Sequence, residues 1–296
     1  MLKVLRQLFS SKPDEPEPEP GDGKVTLAEV LRRGWLDLWY QPKIEFKTMR
    51  LAGAEALVRA RHPTRGVLGP GVFLPGASEG DMLALTEHVI ITALRDWEAC
   101  ADHGMSLKLA VNVPVSALVN LPIATIVREE RPKAETWPGL ILEVTEDEII
   151  RDLKLANDIA GELQEAHCTL ALDDFGAGYS SLARVRQLPF SELKIDRAYV
   201  TNCHSDRVNG GLCEVFVELA KRFRLKTVAE GVETTHESHK LQAIGCDVGQ
   251  GYLFAKPMPR GQLIGLLRKR LVGTPGAGAQ PKPRASWLIP GLSTKG

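Results

Sequence analysis

The sequence predicts an α/β protein built as a single TIM-type (β/α)8 barrel over residues 25–272. Two observations point to it. Eight short β-type runs interleave with helical patterns across this length. A polar residue, usually an acid or an amide, sits at the C-terminal end of run after run, and in a barrel those ends converge on one mouth where active sites are built. The alternation alone leaves a doubly wound sheet open as the alternative fold.

In chain order the runs are Leu38–Ile44, Leu51–Leu57, Leu107–Val113, Leu140–Thr145, Thr169–Asp173, Glu192–Asp196, Lys226–Glu230 and Gly249–Phe254. Helical spacing falls between most of them. Residues 146–165 follow a Thr145-x-x-Glu148 capping box, with Ile149, Leu153 and Leu163 on one face. Residues 207–222 repeat the pattern with Val208, Leu212, Val215 and Leu219, and the last helix carries Leu263, Leu267 and Leu271. Outside the barrel, residues 14–23 alternate proline with acid and read as an extended linker. Residues 1–10 are basic and amphipathic, which reads as a frayed terminus, with weak docking to a membrane surface or a protein as the alternative. The Gly/Pro-rich stretch 273–296 reads as a disordered tail in which Trp287-Leu288-Ile289 is an apolar island, a second candidate docking element.

Composition excludes several function classes. The 37 basic and 37 acidic residues cancel, so nothing attracts the chain globally to DNA or RNA, and a nucleotide ligand needs a local site. No apolar run approaches the roughly 18–20 residues that span a bilayer. Five scattered cysteines without a CxxC pair suit buried or free thiols in a reducing cytoplasm, not a disulfide framework.

The strand ends supply the chemistry. Glu55 lies near the end of LAGAEAL, Asn112 closes KLAVN, and Glu143 sits in LILEVTE. Asp173 and Asp174 close LALDD, Lys194 and Asp196 lie in ELKID, Glu230 closes KTVAE, and Gln250 opens the last strand. One terminal acid is usually a cap or turn former, but six strands ending in an acid or amide are a poor arrangement for capping alone. None of the seven histidines recurs at a strand end. Carboxylates plus an amide oxygen suit hard cations such as Mg²⁺ or Mn²⁺ in preference to Zn²⁺. So many acids exceed the needs of one Mg²⁺ and suit two ions roughly 3.5–4 Å apart, the arrangement of in-line phosphoryl displacement. Asp173 could bridge both ions while Asp174 binds one, which requires the chain to turn at Asp174, with Phe175-Gly176 as the expected turn. The Gly-x-Gly of GAGYSS is a poor dinucleotide loop, because Ser181 replaces the third glycine and two acids stand where phosphate would approach.

Glu55-Ala56-Leu57, with Tyr40-Gln41-Pro42 before it and Asp173-Asp174-Phe175-Gly176 after, resembles the EAL-domain family of bacterial phosphodiesterases specific for cyclic di-GMP. The resemblance covers about residues 25–272. It implies a modified TIM barrel with one reversed strand, usually a homodimer, and hydrolysis of cyclic di-GMP to linear pGpG with Mg²⁺ or Mn²⁺, two ions per site activating a water. Glu55, Asn112, Glu143 and Asp173 match the ligands of the first ion, and Asp173, Asp174 and Glu230 those of the second. Lys194 matches the lysine that contacts the attacking water, so Lys194, Glu230 and Glu55 are the catalytic assignments. Gln250 matches a residue hydrogen-bonding in the site, Gln41 and Arg59 match substrate contacts, and Asp196, Glu146 and Glu233 match supporting acids. The chain departs from the family pattern at Ala60 (usually Trp), Ser78 (usually Glu), Pro114 (usually Ser) and Ala177 (usually Thr). These departures motivate the alternative of a catalytically weak or inactive domain that acts as a cyclic di-GMP receptor or interaction module.

Overall fold

The computed structural model describes residues 23–103, 106–145, 153–176 and 190–272. Within them the strands are β1 (Leu36–Glu45), β2 (Arg50–His62), β3 (Gly66–Leu68), β4 (Lys108–Asn112), β5 (Leu140–Thr145), β6 (Cys168–Phe175), β7 (Phe190–Ile195), β8 (Lys226–Ala229), β9 (Val248–Gln250) and β10 (Met258–Pro259). The parallel ladder β2-β4-β5-β6-β7-β8-β9 is closed by β1, which pairs antiparallel with both β2 and β9. The result is an eight-stranded barrel with one strand reversed. β3 and β10 are short antiparallel additions to β2 and β1.

The helices are α1 (Leu27–Arg32), α2 (Pro70–Phe73), α3 (Glu79–Ala101), α4 (Val115–Asn120), α5 (Ile123–Glu130), α6 (Leu153–Glu165), α7 (Arg197–Val200), α8 (Arg207–Phe223), α9 (Thr235–Ile244) and α10 (Arg260–Val272). Their starts follow from capping chemistry. Thr26, Ser78, Asp206 and Thr234 each accept a backbone N–H from the first turn of the helix they precede. The reciprocal capping box is Thr234 with Glu237. Thr145 ends β5, and the expected capping box with Glu148 lies outside the described residues, as do Glu146–Asp152 as a whole and both terminal segments.

Side chains alternate across each strand, which separates two cores. On β5, Leu140, Leu142 and Val144 face the helices and join the main core, whereas Ile141 packs with Ala110 and Ala171 inside the barrel. The helix pattern over 207–222 is shifted from the sequence expectation. The buried face of α8 is Gly210, Cys213, Phe216, Val217 and Ala220. Val208 and Val215 of the expected stripe are 68% and 60% exposed. Small residues carry the packing here: the α8 backbone at Gly210 approaches so closely that a Cβ would lie 2.6 Å from the Cys203 carbonyl oxygen. A stripe search that counts only large apolar residues therefore picks the wrong face.

All five cysteines are buried free thiols, as their spacing implied. Among the described residues no helix is long and apolar enough to cross a membrane.

Gly53 shows how tightly the barrel closes. A Cβ there would lie 2.3 Å from the Lys108 carbonyl oxygen on the neighbouring strand. Gly53→Ala is expected to destabilise the fold by about 1–3 kcal/mol, the usual cost of overpacking, seen as a lower urea midpoint at unchanged m-value.

Candidate active site

Strand geometry sets the floor of the site. Glu55 lies within β2, a longer strand than expected, but the barrel pairing of β2 with β4 covers only Gly53–Ala56. Glu55 is thus at the barrel's rim even though the strand runs on. Gln250 closes β9 instead of opening a strand over 249–254. Both changes bring these residues to the same end as Asn112, Glu143, Asp173, Lys194 and Glu230.

Lys194 is the hub. It is 1% exposed, and its Nζ lies 2.8 Å from Glu143 Oε2, 2.9 Å from Asp173 Oδ1, 2.7 Å from Glu230 Oε1 and 4.0 Å from Glu55 Oε2. Burial alone would lower the pKa of this ammonium, but the surrounding carboxylates outweigh burial and hold it well above the ordinary lysine value. Glu143 is gripped from both sides, because Lys43 Nζ lies 2.5 Å from its other oxygen. Burial opposes its ionisation, yet the Lys194 and Lys43 charges bring it down to about 2. Glu55 is held at both oxygens by amides, Asn112 Nδ2 at 2.7 Å and Gln250 Nε2 at 2.5 Å. Gln250 Nε2 also donates to Gln41 Oε1 at 3.1 Å, and Gln41 Nε2 donates to the Ala255 carbonyl at 3.1 Å.

The adjacent acids are brought together by an irregularity in β6. The β6–β7 register shifts between Leu172 and Phe175, and Asp174 itself adopts a left-handed backbone at φ +53°. The turn thus falls on Asp174, with Gly176 left-handed two residues later at φ +95°. Gly176 is also required sterically, since a Cβ there would lie 2.7 Å from the Phe216 ring. The Tyr199 hydroxyl donates to its carbonyl. Asp173, Asp174 and Glu230 each place a carboxylate oxygen within 4.8 Å of the others, a spacing able to hold a metal ion. Burial, then the charges of Asp173 and Asp196, raise Asp174 to about 6. Burial likewise raises Glu230, to about 8, with Lys194 opposing and Asp173 and Glu55 reinforcing. Acids that resist ionisation without a further cation fit divalent binding. Of the other expected ligand set, Glu55, Glu143 and Asp173 lie within 4.0 Å of the Lys194 ammonium, and Asn112 is joined to them through Glu55.

A cavity of about 270 Å³ opens over this floor, lined among others by Gln41, Glu55, Asp173, Lys194, Glu230 and Gln250. Glu233 also lines it and is paired with Arg197 at 2.7 Å. Asp196 caps α7 through the Ala198 N–H at 2.8 Å. Arg59 shares the Glu55 face of β2 but lies outside the cavity lining, four residues on, roughly 13 Å along the strand. There it stands over the Trp39 ring at 5.8 Å and donates to the Val58 carbonyl at 2.7 Å. Glu146 and Ala177 lie outside the described residues. The other departures have local structural settings. Ala60 is fully buried, and Ser78 caps α3 while donating to Asp81 Oδ2 at 2.6 Å. Pro114 is the N-cap of α4 and supplies a carbonyl to Ala117 and Leu118. Sequence reasoning missed Lys43, Arg197 and Tyr252. Lys43 lies two residues from Gln41 on the same face of β1, and that alternation was the signal available.

Residues 24–257 match the EAL domain family. The chain belongs to the EAL domain family. It is 36% identical to the Pseudomonas aeruginosa bifunctional diguanylate cyclase/cyclic di-GMP phosphodiesterase MucR over 80% of this chain. It is 37% identical to the cyclic di-GMP phosphodiesterase NbdA of the same organism over 82%, and 33% identical to Escherichia coli cyclic di-GMP phosphodiesterase PdeR over 79%. The matches cover 35%, 31% and 36% of those relatives' own lengths. Among solved structures, the PaMucR phosphodiesterase in complex with c-di-GMP superposes with a TM-score of 0.73 at 36% identity, covering 80% of this chain and 97% of that one. The EAL enzyme Bd1971 gives 0.74 at 26%, covering 90% and 68%. The reversed strand and the carboxylate cluster are therefore features of an EAL barrel.

The raised Glu230 couples stability to pH. Between its ordinary 4.5 and about 8 the folded EAL domain retains a proton that the unfolded chain has released, so this group's contribution falls as pH rises through that window. In chelator-treated protein the wild-type Tm should therefore drop from pH 5 to pH 8 by more than that of Glu230→Gln. Added Mg²⁺ should raise Tm more at pH 8 than at pH 5. Parallel wild-type and Glu230→Gln profiles by calorimetry would refute the assignment.

Proposed function

We propose that this chain is a cyclic-guanylate-specific phosphodiesterase that hydrolyses cyclic di-GMP to linear pGpG. The observation that carries the reading is that Glu55, Glu143, Asp173 and Glu230 gather within 4.0 Å of Lys194 at one end of the barrel, with Asn112 bonded to Glu55 and Asp174 clustered with Asp173 and Glu230. NbdA and PdeR, both cyclic di-GMP phosphodiesterases, and the c-di-GMP complex of PaMucR support this choice of substrate. Asp173, Asp174 and Glu230 would hold one divalent ion, and Glu55, Asn112 and Glu143, with Asp173 shared, the other. Mg²⁺ or Mn²⁺ bound there supplies Lewis acidity at the phosphoryl group and lowers the pKa of water.

The chain's own groups then have distinct tasks. Lys194 lies among the carboxylates that would hold the ions, where its side chain can contact the attacking water. Lys43 and the two amides fix Glu143 and Glu55, so the ligand set is organised before the ligand arrives. Gln41 presents an amide to the cavity, and Arg59 offers a planar fork for a phosphate oxygen at the rim.

The deciding experiment incubates the purified full chain with cyclic di-GMP and Mn²⁺ and follows pGpG by chromatography. Turnover is expected, and it should fall by more than about a hundredfold in Glu55→Ala with an unchanged far-UV spectrum. Tight binding of cyclic di-GMP without pGpG would establish the receptor reading instead.

The protein is further proposed to form a homodimer through α8. Its outward stripe, with Val208 and Val215 exposed and Leu212 and Leu219 half-buried, supports this face. Val215→Asp should shift the sedimentation coefficient to that of a monomer, whereas an unchanged value would place the interface elsewhere.

A further inference from the structure

The opposite end of the barrel carries a second cavity, of about 430 Å³, at the N-terminal ends of the parallel strands. Lys43, Gly53, Lys108, Glu192, Arg224 and Lys226 are among its lining residues. Four of these six are cations, and Glu192 is the one acid in the lining. Glu192 is 4.0 Å from Lys43, whose ammonium is already committed to Glu143 at 2.5 Å. Lys108 Nζ donates to the neutral Thr169 hydroxyl at 3.3 Å and, among the described residues, forms no ion pair within 4.0 Å. Among the described residues, the Arg224 guanidinium and the Lys226 ammonium have no ion-pair partner.

A second observation concerns the backbone. Arg224 is the C-cap of α8 in a left-handed conformation at φ +59°, whereas Gly245 fills the equivalent position of α9 at φ +84°. Glycine is the residue that position favours. An arginine there accepts backbone strain while its side chain lines the cavity. Burial, then the nearby Lys226 and Lys43 charges, lower the Lys108 pKa against the opposing charge of Glu192.

We propose that this cavity is an anion site for a small phosphate-bearing molecule. Its volume lies within the roughly 300–1,000 Å³ range of small-ligand pockets. An arginine fork beside two lysines is the donor set that recognises phosphate oxygens. The carboxylate-rich mouth cannot serve the same ligand without metal.

The test titrates the full chain with pyrophosphate in chelator at fixed ionic strength, by calorimetry and by thermal shift. Removing divalent ions keeps the acidic mouth from retaining the probe. Saturable binding with a rising Tm is expected. Lys108→Gln and Arg224→Gly should each weaken it by about tenfold or more. Arg224→Gly relieves the left-handed strain, so loss of folding would not be the reason. Glu55→Ala should bind pyrophosphate like the wild type, which keeps this outcome independent of the phosphodiesterase reading. A response no greater than that to sodium chloride at matched ionic strength, or variants that bind like the wild type, would overturn the proposal.

Discussion

One buried ammonium organises the barrel's mouth. Lys194 touches carboxylates from β5 and β6 and the one that follows β8, and lies near a fourth on β2. Gathering so many acids in a low-dielectric space is unfavourable unless cations offset their repulsion and lost hydration. Lys194 and Lys43 offset part of it. Against Glu55, Glu143, Asp173, Asp174 and Glu230, two ammoniums leave an excess of negative charge if every acid is ionised. Burial first, and the neighbouring carboxylates after it, push Glu55, Asp174 and Glu230 upward, even though Glu230 is paired with Lys194. Glu143, paired twice, goes the other way. The site is thus a set of fixed acids with an electrostatic deficit on one side, where Asp173, Asp174 and Glu230 cluster.

The reversed strand makes this arrangement rigid. Because β1 runs against both neighbours, its inward residues Gln41 and Lys43 reach the floor from the opposite direction to every other strand. Gln41 joins the amide chain to Gln250 and Glu55, and Lys43 takes the Glu143 oxygen that Lys194 leaves free. Both oxygens of Glu55 and both of Glu143 are consequently assigned. A carboxylate with two fixed partners has one orientation, which is what a metal ligand or a substrate-facing group needs.

Much of this was legible in the sequence. Alternating strands and helices point to the barrel, and polar strand ends single out Glu55, Asn112, Glu143, Asp173, Asp174, Lys194, Glu230 and Gln250. What escaped had specific causes. Strand limits set by apolar runs stop where polar residues begin, so β2 was read short and Gln250 was placed at the wrong end of β9. The buried face of α8 is built on Gly210, Cys213 and Ala220, which a count of large apolar side chains ignores. Lys43 looks like a surface lysine until its neighbour Gln41 is known to point inward. The turn required at Asp174 is present, and Asp174 itself makes it. Glycine is the expected left-handed residue, but Asp174 takes that conformation itself, and aspartate is among the few others that tolerate it.

A net charge of zero conceals a polarised molecule. The 37 acids and 37 bases balance over the chain, yet the two cavities at opposite ends of the barrel differ in the charge of their linings. The mouth gathers acids because hard cations are bound through carboxylate oxygens. The base gathers Lys108, Arg224 and Lys226. Lys43 belongs to both ends, since it contacts Glu143 on one side and lines the lower cavity on the other. The small or compact apolar groups Ala110, Ile141 and Ala171 pack inside the barrel. Bulk composition could exclude a global attraction to nucleic acid, but it could not report this segregation. Charge becomes informative only once the strand periodicity says which side chains face inward and at which level.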